Sequence, residues 1–348
     1  MEIALDNHKL VYCGRIDQTD SKKPEWIFPA TSLQFCFWGN EAKLVVKNRH
    51  KYWDNRVGAI VDGIQRQWLL NENGETEITL VKEERNRKHK ILFFKRMDSC
   101  HELVLEHLYL SEGSELLDPL PVPRRRIEVY GDSVSAGEVS EALDYVGRPD
   151  PEHNGEYSNS WYSYSWMTAR KLHAQIHDIA QGGIPLMRGT GWVEDPIFIG
   201  MEEVWDKVHY YPNLTTPTPW DFSKYTPHVV IIAVGQNDAH PEDFMKHDPD
   251  GAMAKKWKEH YRLFIQKIRE KYPKAVVILA TTILEHDKSW DDAIEEVCQD
   301  LHDSRVRHFL YTRNSVGTPG HIRATEADEM SDELAAYIEN LDIPVWED

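Results

Sequence analysis

The last two thirds of the chain alternate apolar runs with amphipathic stretches, and this alternation restricts the available folds. Residues 228–234 (HVVIIAV) and 275–281 (AVVILAT) are apolar almost throughout, which is typical of strands buried on both faces. Between them, residues 257–268 place apolar side chains at helical spacing. Strands that alternate with helices pack as a parallel sheet with right-handed crossovers. Residues 122–348 are therefore predicted to form an α/β domain whose ligand site lies beyond the carboxyl ends of its strands.

Residues 1–121 show a different pattern, in which short strands recur at intervals of roughly ten residues. Residues 32–38 (SLQFCFW) alternate apolar and polar side chains, and a turn is predicted at Gly39-Asn40. This pattern predicts a β-sandwich such as a jelly roll. Three stiff residues, Pro119, Pro121 and Pro123, mark the change between the two patterns. The predicted domains are therefore 1–121 and 122–348.

The charge and the cysteine content argue against several classes of function. A formal net charge of −18 disfavours nucleic acid and anionic membrane surfaces and leaves a neutral, sugar-like small molecule as the expected partner. The four cysteines form no Cys-x-x-Cys pair, so no zinc or redox motif is expected, and they are too sparse and widely spread for a disulfide framework. The absence of a signal peptide and of a long apolar run predicts a cytoplasmic protein. The oligomeric state stays open, and a homo-oligomer is compatible with the sequence.

Residues 127–138 (IEVYGDSVSAGE) contain the candidate nucleophile. Ser133 comes directly after a short strand, and Gly131 and Gly137 on either side allow a tight turn at the rim of the sheet. The motif differs from the Gly-x-Ser-x-Gly elbow of the α/β-hydrolases. The tripeptide Gly-Asp-Ser is common in turns, so the interpretation depends on residues further along the chain.

Three later positions supply the rest of an ester-cleaving site. Such a site needs a base that takes the serine proton and donors that hold the oxyanion. Gly182 and Gly183 end the next strand, Asn237 comes after the third, and His321 lies just before the last helix. The ends of parallel strands meet at one rim, so these residues are expected to converge there with Ser133.

In this order the blocks resemble those of the SGNH (GDSL) hydrolase superfamily. They are Gly131-Asp132-Ser133 with Gly137, then Gly182 or Gly183, then Gly235-x-Asn237-Asp238, and finally His321. The resemblance implies a flavodoxin-like three-layer α/β/α domain with Ser133 as nucleophile and His321 as base. It implies an oxyanion hole formed by the amides of Ser133 and Gly182, with Gly183 as the alternative, and by the Asn237 side chain. Asp132 is expected to shape the serine turn and Asp238 to hold loops together.

The chain also resembles carbohydrate esterase family two, whose members carry a jelly roll before the SGNH domain. The matching segments are residues 35–39 (FCFWG), 61–63 (VDG), 95–96 (KR), 220–223 (WDFS) and 271–273 (KYP). The resemblance implies a serine esterase that removes O-acetyl groups from sugars, with acetylated xylo-oligosaccharides as the expected substrates and no cofactor. Two alternatives stay open: a carbohydrate-binding protein with an inactive hydrolase domain, and an SGNH esterase or lipase that acts on a non-sugar ester.

One position departs from the superfamily pattern. An Asp three residues before the His normally fixes the imidazole, and here that position is Thr318. Members of the esterase family work with a Ser-His dyad in which a backbone carbonyl replaces the Asp, so a dyad is predicted. The alternative is that an acid from elsewhere, such as Asp195 or Glu326, reaches His321.

The remaining candidates are aromatic or polar loop residues. Trp192 and Trp220 lie in or beside the long loop that precedes the third block, and either is a candidate wall of the substrate pocket. His240 and His247, with Asp248 and Asp250, lack the spacing of a metal site and are interpreted as a solvated loop, so no metal is expected.

Overall fold

Two β-sheets organise the chain, in a computed structural model that describes residues 1–193, 199–211 and 213–347. Within these residues, ten strands form an antiparallel sheet in the N-terminal part and five form a parallel sheet in the C-terminal part. The expected succession of an antiparallel β domain and a parallel α/β domain is thus confirmed. The first sheet ends at Leu116 and the second begins at Arg125, so the predicted boundary at 121 falls in the segment between them.

The antiparallel sheet curls around its own core. Its strands are β1 (Glu2–Ile3), β2 (Val11–Cys13), β3 (Ile16–Asp17), β4 (Glu25–Trp26), β5 (Ser32–Arg49), β6 (Arg56–Val61), β7 (Ile64–Leu69), β8 (Asn73–Lys95), β9 (Glu102–Leu110) and β10 (Glu115–Leu116). Buried side chains from many of these strands, among them Trp26, Phe35 and Phe93, form one apolar cluster. The turn predicted at Gly39-Asn40 is wrong, because β5 continues through this point with a register shift against β8. A bulge bends a strand without ending it, and local sequence does not separate the two outcomes.

The parallel sheet has the order β12-β11-β13-β14-β15, which is the flavodoxin-like order. Its strands are β11 (Arg125–Gly131), β12 (Ala174–Ala180), β13 (Val229–Ala233), β14 (Val276–Ala280) and β15 (Val306–Phe309). The helices of this part are α1 (Ser133–Ala136), α2 (Tyr164–Lys171), α3 (Met201–Val204), α4 (Phe244–His247), α5 (Ala252–Lys271), α6 (Lys288–Asp300) and α7 (Ala324–Glu339). In β13, Val230 and Ile232 pack with α5 and α6, while Val229 and Ile231 pack with α2 and α7. The sheet is therefore covered on both faces, as its apolar strands predicted.

Side chains cap two helices of this domain. Ser160 lies in a short 3-10 turn, and Ser163 caps α2 by accepting a hydrogen bond from the amide of Trp166. At the start of α7, Glu326 occupies the third position of a capping box.

The two parts of the chain meet through buried polar contacts. Arg15 of the N-terminal domain is fully buried, lies 3.3 Å from the Glu128 carboxylate, and donates to the carbonyl oxygens of Trp205 and Lys207. Because an unpaired buried guanidinium is costly, this residue ties the relative placement of the two sheets to a specific set of partners.

All four cysteines lie in the described ranges and are free thiols. Among the helices of these ranges, none is long and apolar enough to cross a bilayer.

Candidate active site

Ser133 lies at the carboxyl end of β11, in the tight turn that the glycines predicted. It is the first residue of α1, and Asp132 caps this helix by accepting a hydrogen bond from the amide of Val134 (3.0 Å). The turn is closed by Gly137, which has φ +80°. A Cβ at this glycine would lie 2.6 Å from the carbonyl oxygen of Asn159, so the position requires glycine both conformationally and sterically.

A cavity of about 490 Å³ opens in front of Ser133. It brings together seven of the residues singled out from the sequence, namely Asp132, Ser133, Gly182, Gly183, Trp192, Asn237 and His321. Tyr52 and Trp53 of the N-terminal domain also line it. The serine hydroxyl makes no hydrogen bond to any described residue, so its oxygen is available to a ligand.

The candidate oxyanion donors differ in how far they are already engaged. The amide of Gly182 donates to Oδ2 of Asp98 at 2.7 Å, whereas the amide of Gly183 has no acceptor among the described residues. The Asn237 side-chain nitrogen lies 3.3 Å from Oδ2 of Asp132 and 3.2 Å from the carbonyl oxygen of Ile184. These two hydrogen bonds are long, and a developing oxyanion is a stronger acceptor than either partner. The geometry therefore favours Asn237 and the alternative Gly183 over Gly182.

The position of Asn237 depends on the backbone conformation of Gly235. Gly235 comes after β13 with φ +133°, and a Cβ there would lie 2.9 Å from the ring of Trp257. The adjoining 3-10 turn, Gln236–Ala239, directs the Asn237 side chain into the cavity. The next residue, Asp238, is fully buried and accepts hydrogen bonds from the amides of Leu186 (2.7 Å) and Met187 (3.1 Å), which joins two loops beneath the site.

A carboxylate that the sequence analysis missed supports His321. Oδ2 of Asp150 lies 2.7 Å from Nδ1 of His321, and Asp150 also pairs with the buried Arg323 at 2.9 Å. The predicted dyad with a backbone carbonyl is therefore wrong. Glu326 does not reach the imidazole, because it accepts hydrogen bonds from the amides of Thr318 and Arg323. Asp195 lies outside the described residues.

The sequence did contain a weak signal for this acid. Asp150 stands between Pro149 and Pro151, in the long segment 142–160. Prolines hold such a loop stiffly, which is what a fixed support for an imidazole requires. Nothing in the local sequence links this loop to His321, because Asp150 and His321 are 171 residues apart.

A second carboxylate faces the opposite nitrogen of the same ring. Oε2 of Glu138 lies 3.4 Å from Nε2 of His321. Burial lowers the pKa of His321, but the hydrogen bonds and charges of Asp150 and Glu138 outweigh this effect and raise it to about 10. Burial raises the pKa of Glu138, and the neighbouring Asp98 raises it further. The protonation states of His321 and Glu138 are coupled, because a proton on Glu138 removes the charge that stabilises the imidazolium.

The two tryptophans proposed as pocket walls have different environments. Trp192 is 60% exposed, stacks on His240 with ring centroids 3.4 Å apart, and lines the cavity. Trp220 is 7% exposed and packs against Arg15 and His177 between the domains, away from the residues that line the cavity. The wall prediction is therefore wrong for Trp220, since a helical or loop position does not reveal which side of the loop a ring occupies.

Within the described residues, the side chains that approach metal-ligand geometry lie outside the cavity lining. In the described ranges, two sets of side chains approach ligand geometry, Glu25 with Glu102 and His209, and Asp62 with Glu83 and His89. Both sets belong to the N-terminal domain or its interface, and each contains carboxylates paired with an arginine, Arg49 in the first and Arg87 in the second. Arginine supplies the positive charge that an ion would otherwise bring.

The flavodoxin-like sheet, with its serine, glycine, asparagine and histidine at one rim, defines the SGNH class of ester hydrolases. The model of the carbohydrate esterase 2 N-terminal domain matches residues 12–121. This match covers about a third of the chain, and the similarity to proteins named as esterases extends over most of its length, so the comparisons support a two-domain arrangement like that of carbohydrate esterase family two.

Two characterised relatives match most of the chain. The chain is 27% identical to the cellulase/esterase CelE of Acetivibrio thermocellus over 96% of its own length, and it spans 40% of the length of that protein. It is 26% identical to an acetylxylan esterase / glucomannan deacetylase of Cellvibrio japonicus, over 87% of this chain and 80% of the relative.

Solved structures show the same two-domain arrangement. A family two carbohydrate esterase from Clostridium thermocellum in complex with cellohexaose superposes with a TM-score of 0.80 and 25% identity, over 95% of this chain and 98% of that one. A family two esterase from Cellvibrio japonicus gives a TM-score of 0.82 at 22% identity, over 97% of both chains.

Proposed function

We propose that the chain is a serine esterase that removes O-acetyl groups from carbohydrates, with acetylated xylo-oligosaccharides as its substrate class. The observation that carries this proposal is the convergence of Ser133, Asn237 and His321 on one cavity. The relatives support the carbohydrate as the alcohol part of the ester, because they are named as a cellulase/esterase and as an acetylxylan esterase / glucomannan deacetylase.

These side chains take separate roles in the reaction. The hydroxyl of Ser133 attacks the acetyl carbonyl carbon while Nε2 of His321 takes its proton. The tetrahedral oxyanion accepts hydrogen bonds from the Asn237 side chain and from the amides of Ser133 and Gly183. The sugar then leaves as an alcohol with the proton from His321, and water cleaves the acetyl-serine by the same route. Asp150 on Nδ1 fixes the ring and stabilises the imidazolium that forms.

Aromatic rings give the cavity its affinity for sugars. Trp192 is exposed on one wall, and Tyr52 and Trp53 of the N-terminal domain stand on another. Aromatic faces bind the apolar faces of pyranose rings. The family two esterase that was solved with cellohexaose supports a carbohydrate as the ligand.

Hydrolysis assays with a matched set of variants test the proposal. The wild-type chain is expected to release acetate from acetylated xylo-oligosaccharides, and Ser133→Ala to reduce the rate to background. Loss of one oxyanion donor costs about 100- to 1,000-fold in kcat, so Asn237→Ala is expected to fall in that range. Ser21→Ala, which removes an exposed serine of the N-terminal domain, is the control and should retain full activity.

A panel of esters separates the proposal from its alternatives. Acetylated sugars, long-chain acyl esters and thioesters are compared at equal concentration. Preference for long acyl chains or thioesters would assign a different substrate, and activity that survives Ser133→Ala would overturn the assignment of the nucleophile. Binding of oligosaccharide without hydrolysis of any ester would make the chain a binding protein.

A further inference from the structure

Two buried carboxyl groups lie against Gly182, one of the residues that line the cavity. Asp98 is 1% exposed and Glu138 is 4% exposed, and they belong to different domains. Gly182 lies against both: a Cβ on it would be 2.0 Å from Oε1 of Glu138 and 2.9 Å from Oδ2 of Asp98. The proposed hydrolysis by Ser133 and His321 uses neither of these acids.

The two acids differ in the hydrogen-bond donors that surround them. Asp98 accepts hydrogen bonds from the amides of Cys100 (2.9 Å) and Gly182 (2.7 Å) and from the side chain of Gln181 (3.0 Å). Oε1 of Glu138 is buried and receives no hydrogen bond from any N–H or hydroxyl of the described residues. Its carboxyl neighbour is Asp98, and two adjacent buried carboxylates do not both ionise. Three donors therefore stabilise the carboxylate of Asp98, and Glu138 is the acid of the pair that gains and loses the proton.

The other oxygen of Glu138 faces the proposed base. Oε2 lies 3.4 Å from Nε2 of His321, the nitrogen that must face Ser133 during catalysis. When Glu138 is ionised, it attracts an imidazolium and competes with Ser133 for Nε2. When Glu138 holds the proton it shares with Asp98, this attraction is lost and Nε2 is available as a base.

We propose that Glu138 is a positioning residue for His321, and that its proton, shared with Asp98, decides whether Nε2 is held by Glu138 or is available to Ser133. The inference rests on the proposed role of His321 as the base. The other charged or titratable groups around the ring are Asp150 and Arg323 at Nδ1, Asp132 and Asp98 beside the serine turn, and His153 and Tyr52 at the rim. None of these replaces Glu138 at Nε2.

Two substitutions are expected to act in opposite directions. Glu138→Gln removes the charge that stabilises the imidazolium, so His321 should lose its proton at lower pH. Asp98→Asn removes the charge that keeps Glu138 protonated, so Glu138 should ionise more readily and His321 should keep its proton to higher pH. A purely structural role would change the rate of both variants without separating their pH profiles in this way.

The experiment measures kcat/KM against pH and the titration of the His321 ring by nitrogen NMR. The acid limb is expected to move down by at least one pH unit in Glu138→Gln, which gives at least about a tenfold gain in kcat/KM at a pH below both limbs. In Asp98→Asn it should move up. Glu270→Gln makes the same charge change on the exposed face of α5 and should leave the profile unchanged. The NMR titration uses the Ser133→Ala background, so that it does not depend on turnover.

The outcomes separate this inference from the proposed function. If the wild-type chain hydrolyses acetyl esters but neither variant moves the titration of His321, the inference is overturned and the proposed function stands. If the chain hydrolyses none of the esters, the proposed function falls, and the NMR titration alone decides whether Glu138 controls the proton on His321. Shifts of both variants in the same direction would also overturn the inference.

Discussion

Replacing Asp150 with Asn should slow the reaction without removing the site. The Asp150 carboxylate accepts a hydrogen bond from Nδ1 of His321 at 2.7 Å, and an amide keeps the shape of the side chain while removing its charge. A hydrogen bond to a charged partner contributes about 1.5–3 kcal/mol, and about 1.36 kcal/mol corresponds to a factor of ten in rate. The expected loss in kcat is therefore about 10- to 150-fold, and it exceeds this range if the amide stabilises the wrong ring tautomer.

The pH dependence of this variant separates two effects of the carboxylate. Burial lowers the pKa of His321, and Asp150 is one of the two acids that raise it. In Asp150→Asn the acid limb of the rate profile should therefore move to lower pH, because the imidazole loses its proton more easily. The fall in kcat should persist above the limb, where the ring is neutral in both proteins. Stopped assays of acetate release from pH 5 to above the wild-type limb, with spontaneous hydrolysis subtracted, measure both quantities.

The effect of Asp150→Asn is compared with that of a second acid in the same loop. Asp144→Asn changes an exposed acid of the same loop and should leave the profile unchanged. Asp150 also neutralises the buried Arg323, so a thermal unfolding curve of each variant must show that the protein is folded under assay conditions. Wild-type kcat in folded Asp150→Asn at every pH would refute the role of this carboxylate and restore the dyad.

Two further predictions concern the walls of the site and the contact between the domains. Trp53→Ala and Trp192→Ala should each raise KM for acetylated oligosaccharides, by about 2- to 10-fold for a stacking contribution of about 0.5–1.5 kcal/mol, while hydrolysis of a small chromogenic acetate changes little. Equal effects on both substrates would contradict a role in sugar binding. Burial lowers the pKa of His209, but its hydrogen bond to Glu102 and the charge of this acid outweigh burial and raise it. A group with a raised pKa stabilises the fold fully below about pH 6.5, and this contribution is lost as the pH rises through the folded pKa. The gap in Tm between wild type and His209→Gln should therefore narrow by at least about 2 °C between pH 5.5 and pH 9, and a gap independent of pH would contradict the assignment.

The sequence predicts the features that depend on neighbouring residues or on the order of elements along the chain. Uninterrupted apolar runs such as residues 228–234 identify strands buried on both faces, and their alternation with helical stretches is enough to predict the parallel sheet. The order of the glycine, serine, asparagine and histidine blocks was also sufficient to place them at one rim, because parallel strands end together. These features depend on neighbours in the chain or on topology alone.

The missed residues all depend on how loops from distant parts of the chain pack. Asp150 reaches His321 from a loop 171 residues away, and Tyr52 and Trp53 reach the cavity from the other domain. Glu138 lies directly after the serine motif, yet its importance comes from Asp98 and His321, which local pattern cannot place beside it. Periodicity encodes burial, whereas these contacts are set by tertiary packing.

The hydrogen bond from Gly182 to Asp98 makes the β domain part of the chemistry. Asp98 lies in the short segment that joins β8 to β9, so a small displacement of that segment is transmitted directly to the backbone next to the nucleophile. The geometry of the site consequently depends on the placement of this buried segment as well as on the parallel sheet. For the same reason, fusing the catalytic domain to an unrelated module should not give a complete site, because Asp98, Tyr52 and Trp53 belong to the N-terminal domain.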